Sequence, residues 1–372
     1  MSVTEKRLNI LGIRGLPAAH GGFETFAHHF SLWLKDQGWE VFVYCQHDSN
    51  DETAPPDGTI DEWQGIHLIN LTSSGSGPAS TIKFDLKATR HVLRQPGIDL
   101  VLGYNTAVFA ILQRLKGRKV IMNMDGIEWK RDKWGPAAKA WFYVNELVGS
   151  HVCTLPVADH PEIAKHLERH GTKGVRVIPY GSAAITDAPA TQLEPYGLEP
   201  GRYMISIARI EPENSILEIV ETFSEEPRET KLVVLGNFRD DNEYHRRVRQ
   251  AASPDVVFPG AIYDTETVSA LRYHCRAYLH GHQVGGTNPS LVEALGAGNA
   301  IIAHDNRFNR WVTRDGQFYF STKQQLKKII ADMIASDQLV TEAQARARIA
   351  HSESFTFETI HRSYLAALES VF

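Results

Sequence analysis

Between Tyr278 and Asp305 the chain reads Tyr-Leu-His-Gly-His-Gln-Val-Gly-Gly-Thr-Asn-Pro-Ser-Leu-Val-Glu-Ala-Leu-Gly-Ala-Gly-Asn-Ala-Ile-Ile-Ala-His-Asp. A short apolar run, a glycine turn, a helical pattern, a second glycine turn and another apolar run follow one another. Two buried strands joined through a helix leave little choice beyond a parallel sheet with a crossover. The turn before the helix carries more than topology. Gly285 and Gly286 let backbone approach a ligand, Asn288 can cap the helix and Pro289 suits its first position. Amides left unpaired at that end face the positive end of the helix dipole, which suits a phosphate. Glu293 lies one turn further in, where a carboxylate can accept hydrogen bonds from a ribose. The alternative is a plain strand-turn-helix whose glycines serve packing alone; paired glycines, a cap and an inward Glu together disfavour it.

This segment resembles the donor-binding motif of the GT-B glycosyltransferases of family 4, and is nearest their bacterial rhamnosyltransferase-like subgroup, in which Gly-Gly-Thr-Asn-Pro-Ser leads into the helix. The resemblance implies that Gly285, Gly286, Thr287, Asn288, Ser290 and Glu293 hold a nucleotide-sugar donor. It also implies an α/β fold of two doubly wound Rossmann-like domains facing a central cleft, with the last helix crossing back to the first domain.

The rest of the chain fits that plan. At 372 residues it is long for one core and suits two domains. Strand-like runs are expected at 8–13, 40–44, 66–71, 100–103, 119–124, 151–155 and 175–178, then at 202–208, 231–235, 256–258, 277–280 and 300–303, with helical patterns between them. A proline-rich stretch at 186–200 separates the two series. The expected domains are 1–185 on the acceptor side, 186–355 for the nucleotide sugar, and 356–372 as a helix returning to the first. Ligands of such sheets lie at the carboxyl ends of the strands.

Composition excludes several classes. A net charge of −5 argues against a nucleic-acid partner. Cys45, Cys153 and Cys275 have no metal-ligand spacing and fit a reduced, cytoplasmic setting. The 17 histidines read as scattered singly, surface or packing residues. The run Leu8–Ile13 is too short for a signal peptide, and no stretch approaches the ~20 apolar residues of a membrane span.

Further motifs carry the resemblance along the chain. The first strand ends in Gly12-Ile-Arg-Gly15 and continues to Gly21-Gly22. The spacing is wrong for a dinucleotide fingerprint, and no acid closes the second strand, which disfavours a dehydrogenase. Gly21 and Gly22 instead resemble the family's N-terminal glycine loop, whose amides approach the donor phosphate. Arg209 matches an arginine that holds the pyrophosphate, and its planar fork suits that task; a surface arginine paired with Glu211 or Glu213 is the alternative. The family's lysine five residues later is Asn214 here, and the first of its two glutamates is Gly285. Since that Glu contacts the sugar ring, its absence points to a 6-deoxyhexose donor, best fitted by dTDP-L-rhamnose.

Met124-Asp125-Gly-Ile-Glu128-Trp129-Lys130-Arg131 matches the subgroup closely. Asp125 stands where relatives place a His facing the reacting sugar, although an Asp before Gly is also an ordinary turn residue. Tyr104, Asn105, Glu128, Trp129, Lys130 and Arg131 are the expected acceptor contacts; Ile262 and Tyr263 are expected to receive the base; Ile178-Pro-Tyr180-Gly181 resembles the signature closing the first domain. Asp125 and Arg209 are the expected catalytic pair, with no metal: no Asp-x-Asp motif is present, and Asp240-Asp241 reads as a surface turn. The family mechanism is retaining, with front-face attack and the departing phosphate oxygen taking the proton. The enzyme then supplies positioning and electrostatics.

The expected protein is therefore a metal-independent hexosyltransferase of surface polysaccharide synthesis, using a nucleotide sugar as co-substrate and a saccharide or lipid-linked saccharide as acceptor. A sugar-nucleotide 2-epimerase of the same fold and a catalytically weakened nucleotide-sugar-binding subunit are the rivals. The window Arg114–Lys139 holds eight Lys/Arg against three acids, a balance of +5, interleaved with tryptophans. That pattern suits peripheral contact with the anionic inner face of the cytoplasmic membrane; a solvated basic face is the alternative.

Overall fold

The computed structural model describes residues 6–18, 21–75 and 77–372. The chain forms two compact units, one of residues 1–180 with 357–372 and one of residues 181–356.

The N-terminal unit runs β1 (Arg7–Leu11), α1 (Gly22–Asp36), β2 (Glu40–Asp48), β3 (Ile60–Trp63), β4 (Ile66–Ser73), α2 (Pro78–Val92), β5 (Ile98–Leu102), α3 (Ala110–Leu115), β6 (Val120–Asn123), α4 (Pro136–Val152), β7 (Leu155–Ala158), α5 (Pro161–Arg169) and β8 (Arg176–Val177). Its sheet has the order β3-β4-β2-β1-β5-β6-β7-β8, parallel except for the β3–β4 edge. Parallel sheets need cover on both faces, and the buried residues divide accordingly. Leu8, Ile10, Val41, Val43, Leu100 and Ile121 face Phe26, Phe30 and Leu34 of α1, while Leu11, Phe42, Tyr44 and Leu71 meet Phe84, Ala88 and Val92 of α2.

The C-terminal unit runs β9 (Tyr203–Ile207), α6 (Ile216–Ser224), β10 (Lys231–Leu235), α7 (Glu243–Gln250), β11 (Val256–Gly260), α8 (Thr265–Tyr273), β12 (Ala277–His280), α9 (Pro289–Gly296), β13 (Ile301–His304), α10 (Arg307–Val312), β14 (Phe318–Phe320), α11 (Lys323–Ala335) and α12 (Asp337–Ser354). Its parallel sheet has the order β11-β10-β9-β12-β13-β14. One face packs on α6 and α11 through Ile216, Val220, Phe223, Leu326 and Ile330. The other packs on α8 and α9 through Leu271, Leu291, Val292 and Leu295.

The final helix α13 (Phe357–Glu369) belongs to the N-terminal unit and lies on α1. Phe26 and Tyr364 have ring centroids 4.6 Å apart, and the Trp33 indole donates to Glu358 at 2.8 Å. Tyr364 also accepts from Asn123 Nδ2 at 2.8 Å, tying the helix to the end of β6.

Two doubly wound sheets agree with the expected fold class. The strand expected at 151–155 is a correction: α4 continues through Val152, and the strand is Leu155–Ala158. The apolar run His-Val-Cys-Thr-Leu reads equally well as helix end or strand start, and burial of one α4 face against β6 decides it. Strands β3 and β14 were missed, both short edge strands with little periodicity. No helix among the described residues is long and apolar enough to cross a membrane.

Candidate functional site

In each sheet the strand order reverses at one place, between β1 and β5 and between β9 and β12. Loops leaving neighbouring strands there run in opposite directions and open a crevice at the carboxyl ends. Gly21, Gly22, Tyr104, Asn105, Arg209 and the 285–293 segment follow these four strands, whereas Asp125 and residues 128–131 follow β6 and Ile262 and Tyr263 follow β11.

In the C-terminal unit the loops after β9 and β12 are sewn together. Asn214 donates from Nδ2 to the Arg209 carbonyl at 2.8 Å, and its Oδ1 lies 2.6 Å from His282 Nδ1. Gln283 N donates to Glu213 O at 2.9 Å, and the Ser215 hydroxyl donates to Gly281 O at 2.8 Å. Asn214 is buried, so the residue at the family's lysine position fixes the rim and adds no charge to it. Arg209 remains 61% exposed at its side chain. Glu211 and Glu213 lie 3.9 and 4.0 Å from its guanidinium, ion-pair range but longer than hydrogen bonds.

Helix α9 starts as its sequence indicates: Asn288 Oδ1 accepts from Ser290 N at 3.0 Å, and Pro289 is the first helical residue. Gly286 takes φ 116°, a conformation costly for other residues, beside a buried Thr287. Gly285 is explained differently from its sequence reading. A Cβ there would lie 2.7 Å from Cε1 and 2.9 Å from Cε2 of Phe308. The glycine makes room for an aromatic ring from α10, a packing role in place of the backbone approach expected at 285.

Two donor-side side chains are engaged inside the unit. The Ser290 hydroxyl, expected to touch the donor, contacts Tyr278 OH at 2.7 Å and Arg272 Nη2 at 2.9 Å, with Ile207 O at 3.2 Å. It anchors the start of α9. Glu293 Oε2 accepts from Arg272 Nη1 at 2.6 Å, while the Glu293 side chain stays 41% exposed. Arg272, nearly buried on α8, thus orients Glu293, and sequence reading missed it. The available signal was an arginine directly after Ala270-Leu271 on a buried helix face. Of the residues expected at the base, Ile262 is half-buried and Tyr263 is 68% exposed.

In the N-terminal unit, Gly21 caps α1 at φ 99° and Gly22 is the first helical residue. Glu24 sits in the first turn and accepts from Arg14 N at 3.3 Å. After β6, Asp125 is half-buried with φ 47°, and its N–H donates to Asn123 Oδ1 at 2.9 Å. Left-handed backbone is uncommon outside glycine and concentrates where structure holds a residue for a purpose.

The expected acceptor contacts divide. Tyr104 is fully buried; its hydroxyl donates to Gly126 O at 3.0 Å and accepts from Glu128 N at 2.9 Å. Burial, with the Glu146 charge, pushes its pKa up, so it stays a neutral phenol under the 125–130 loop. It is a positioning residue for that loop, which corrects its expected contact role. Glu128 is likewise turned inward, accepting from Arg131 Nη1 at 2.7 Å and Trp134 Nε1 at 3.0 Å. Trp129 Nε1 donates to Glu146 Oε2 at 3.0 Å, and Trp141 Nε1 donates to Asn105 O at 2.8 Å. Lys130 is exposed, its ammonium 5.1 Å above the Trp129 ring. Glu128, Trp129 and Arg131 therefore brace the loop; Asp125 and Lys130 retain exposed surface on it, and Asn105 does so on the loop after β5.

Residues 5–183 match a family model described as a domain of unknown function, DUF1972, and residues 191–350 match the model "Glycosyl transferases group 1". No curated protein matches the chain by sequence. Among solved structures, sucrose-phosphate synthase from Thermosynechococcus elongatus is similar with TM-score 0.82 at 15% identity, covering 99% of both chains. Anabaena HepE, solved with UDP and glucose, gives TM-score 0.77 at 16% identity over 98% of this chain and 100% of that one. A glycosyltransferase from Rickettsia africae gives 0.73 at 14% over 99% and 98%. Residues 191–350 thus match the glycosyl transferases group 1 model, and the fold of the chain, two doubly wound parallel sheets, is that of GT-B glycosyltransferase structures.

Proposed function

We propose that the chain transfers L-rhamnose, with retention, from dTDP-L-rhamnose to a saccharide or lipid-linked saccharide acceptor in bacterial surface polysaccharide synthesis. The observation that carries this reading is the Phe308 ring seated against Gly285. In the resembling enzymes a carboxylate at that position binds sugar hydroxyls. An aromatic wall offers those hydroxyls nothing, but it suits the methyl group of a 6-deoxyhexose, worth about 0.8 kcal/mol when buried.

The remaining parts have assigned tasks in this reading. The α9 amides and Arg209 hold the diphosphate and stabilise the departing charge without a metal. Glu293 accepts from the ribose through the oxygen that Arg272 leaves open. Asp125 orients a hydroxyl of the reacting sugar or its acceptor. A lipid-linked acceptor is supported by the N-terminal unit, where Ile111, Leu115, Trp141, Val144 and Leu147 are exposed on α3 and α4 within or beside the basic window. Of the three tryptophans there, only Trp141 is exposed, so the aliphatic residues carry more of this reading than the rings.

The test is a competition among dTDP-rhamnose, UDP-glucose and GDP-mannose with a lipid-linked saccharide as acceptor. Preferential consumption of dTDP-rhamnose supports the reading, and faster use of either other donor overturns it. Conversion of donor without acceptor favours the epimerase, and donor binding without product favours a binding subunit. Liposome co-sedimentation addresses the membrane separately: binding to anionic vesicles that weakens with salt supports contact, and none at low salt removes it.

A further inference from the structure

The histidines do not all stand alone. His166 on α5 and His170, one turn later at its C-terminal cap, present both imidazoles to Glu146 of α4. Glu146 Oε1 lies 2.8 Å from His166 Nε2 and 3.5 Å from His170 Nδ1. One donor atom from each residue falls within 4.8 Å of the others. We propose that Glu146, His166 and His170 form a binding site for a borderline divalent cation of the zinc type, which fixes the loop carrying Asp125.

The donor set is the first argument. Two imidazoles and one carboxylate suit Zn2+ and its neighbours, whereas Mg2+ and Ca2+ take oxygen ligands. Ligands about 2.0–2.1 Å from a tetrahedral ion sit roughly 3.3 Å apart, so the observed 2.8 and 3.5 Å separations need only small side-chain adjustments. Histidines four apart on one helical turn share a face, which brings two ligands from a single element.

The surroundings are the second argument. Glu146 is nearly buried, a costly place for a carboxylate without compensation. Its Oε2 is taken by the Trp129 indole N–H at 3.0 Å, which turns Oε1 to the histidines. Such an outer-shell bond is what orients a metal-ligating carboxylate. The His170 side chain is 31% exposed, which leaves an entry path and an open fourth position for water. Trp129 and Tyr143 pack edge to face with centroids 5.3 Å apart, and Tyr143 meets His170 at 6.1 Å, walling the remaining sides.

Consequences run through Trp129. The residue belongs to the loop that begins at Asp125, so an ion on Glu146 stiffens that loop without touching the sugar. The proposal is independent of the donor's identity and of metal-free chemistry at the diphosphate.

The test uses full-length protein with any affinity tag removed, stripped with chelator and titrated with Zn2+ and with Co2+ as a spectroscopic probe. One equivalent retained after dialysis, with visible bands of a low-coordinate Co2+ site, is expected. His170→Ala should weaken binding at least about tenfold while melting like the wild type, since His170 lies partly in solvent. Glu146→Gln should do the same, and Trp129→Phe, which removes the indole bond that turns Oε1 to the histidines, should also weaken binding about tenfold or more. Absence of a retained equivalent, or equal retention in His170→Ala, shows a hydrogen-bonded Glu–His cluster only and overturns the proposal.

Discussion

Alanine at position 285 places a methyl group 2.7 Å from Cε1 and 2.9 Å from Cε2 of Phe308, where carbon atoms need about 3.5 Å. Relief requires the ring to swing on its own χ1, because the loop backbone at 281–283 is pinned to 213–215. Overpacking of this kind costs about 1–3 kcal/mol. In a unit of residues 181–356 each kcal/mol moves the melting temperature by about 2–4 °C. In a Phe308→Ala background the same substitution meets no ring and should cost under about 0.5 kcal/mol, so the double-mutant cycle should return nearly the full single-mutant penalty as coupling. A second readout belongs to function. If the ring is the wall for a sugar methyl, Phe308→Ala should lower the preference for dTDP-rhamnose over hydroxylated donors by about fourfold, the equivalent of ~0.8 kcal/mol. Thermal melting and donor competition on the four proteins decide. Additive stabilities would refute the packing argument, and unchanged selectivity in Phe308→Ala would refute the sugar-wall argument.

Other expectations follow from individual contacts. Arg209→Ala should weaken dTDP-sugar binding by about 1.5–3 kcal/mol by calorimetry, the worth of a charge-assisted phosphate contact; wild-type affinity would leave Arg209 a surface residue beside Glu211 and Glu213. Arg272→Met and Glu293→Gln should each weaken binding of the free nucleotide diphosphate, and the double variant should be little worse than either, because one residue acts through the other. Asp125→Asn keeps a residue type that tolerates φ 47° and should melt normally while transfer slows by at least a hundredfold; a rate within a few-fold assigns Asp125 to the turn alone. His361, buried between α13 and α1 beside Phe26, Phe30 and Trp33, has its pKa lowered to about 4 by burial and then by His29. The unfolded chain takes up this proton from about pH 6.5 downward and the folded chain resists to about 4. Stability is therefore lost as pH falls through that window, by up to about 3 kcal/mol. His361→Leu should flatten the acid side of the stability curve, and an unchanged acid midpoint would count against it.

Local chemistry made much of this protein legible from the sequence alone. Alternating apolar runs and helical patterns can only bury their surfaces as crossover-linked parallel sheets, and an Asn-Pro pair after two glycines starts a helix whatever surrounds it. Those signals lie within a few residues, and the order β11-β10-β9-β12-β13-β14 places their loops at a switch point as such patterns require. Partners distant in sequence were decided only by the tertiary structure. Phe308 reaches Gly285 across 23 positions, Arg272 reaches Glu293 across 21, and Glu146 meets His166 across 20. Tyr104, which follows a strand and looks like a contact residue, is buried by a loop 22 positions on. Residue type and local spacing set what each side chain can do. Which neighbour it does it with depends on strand order and on which face a helix buries, quantities that no short window of sequence contains.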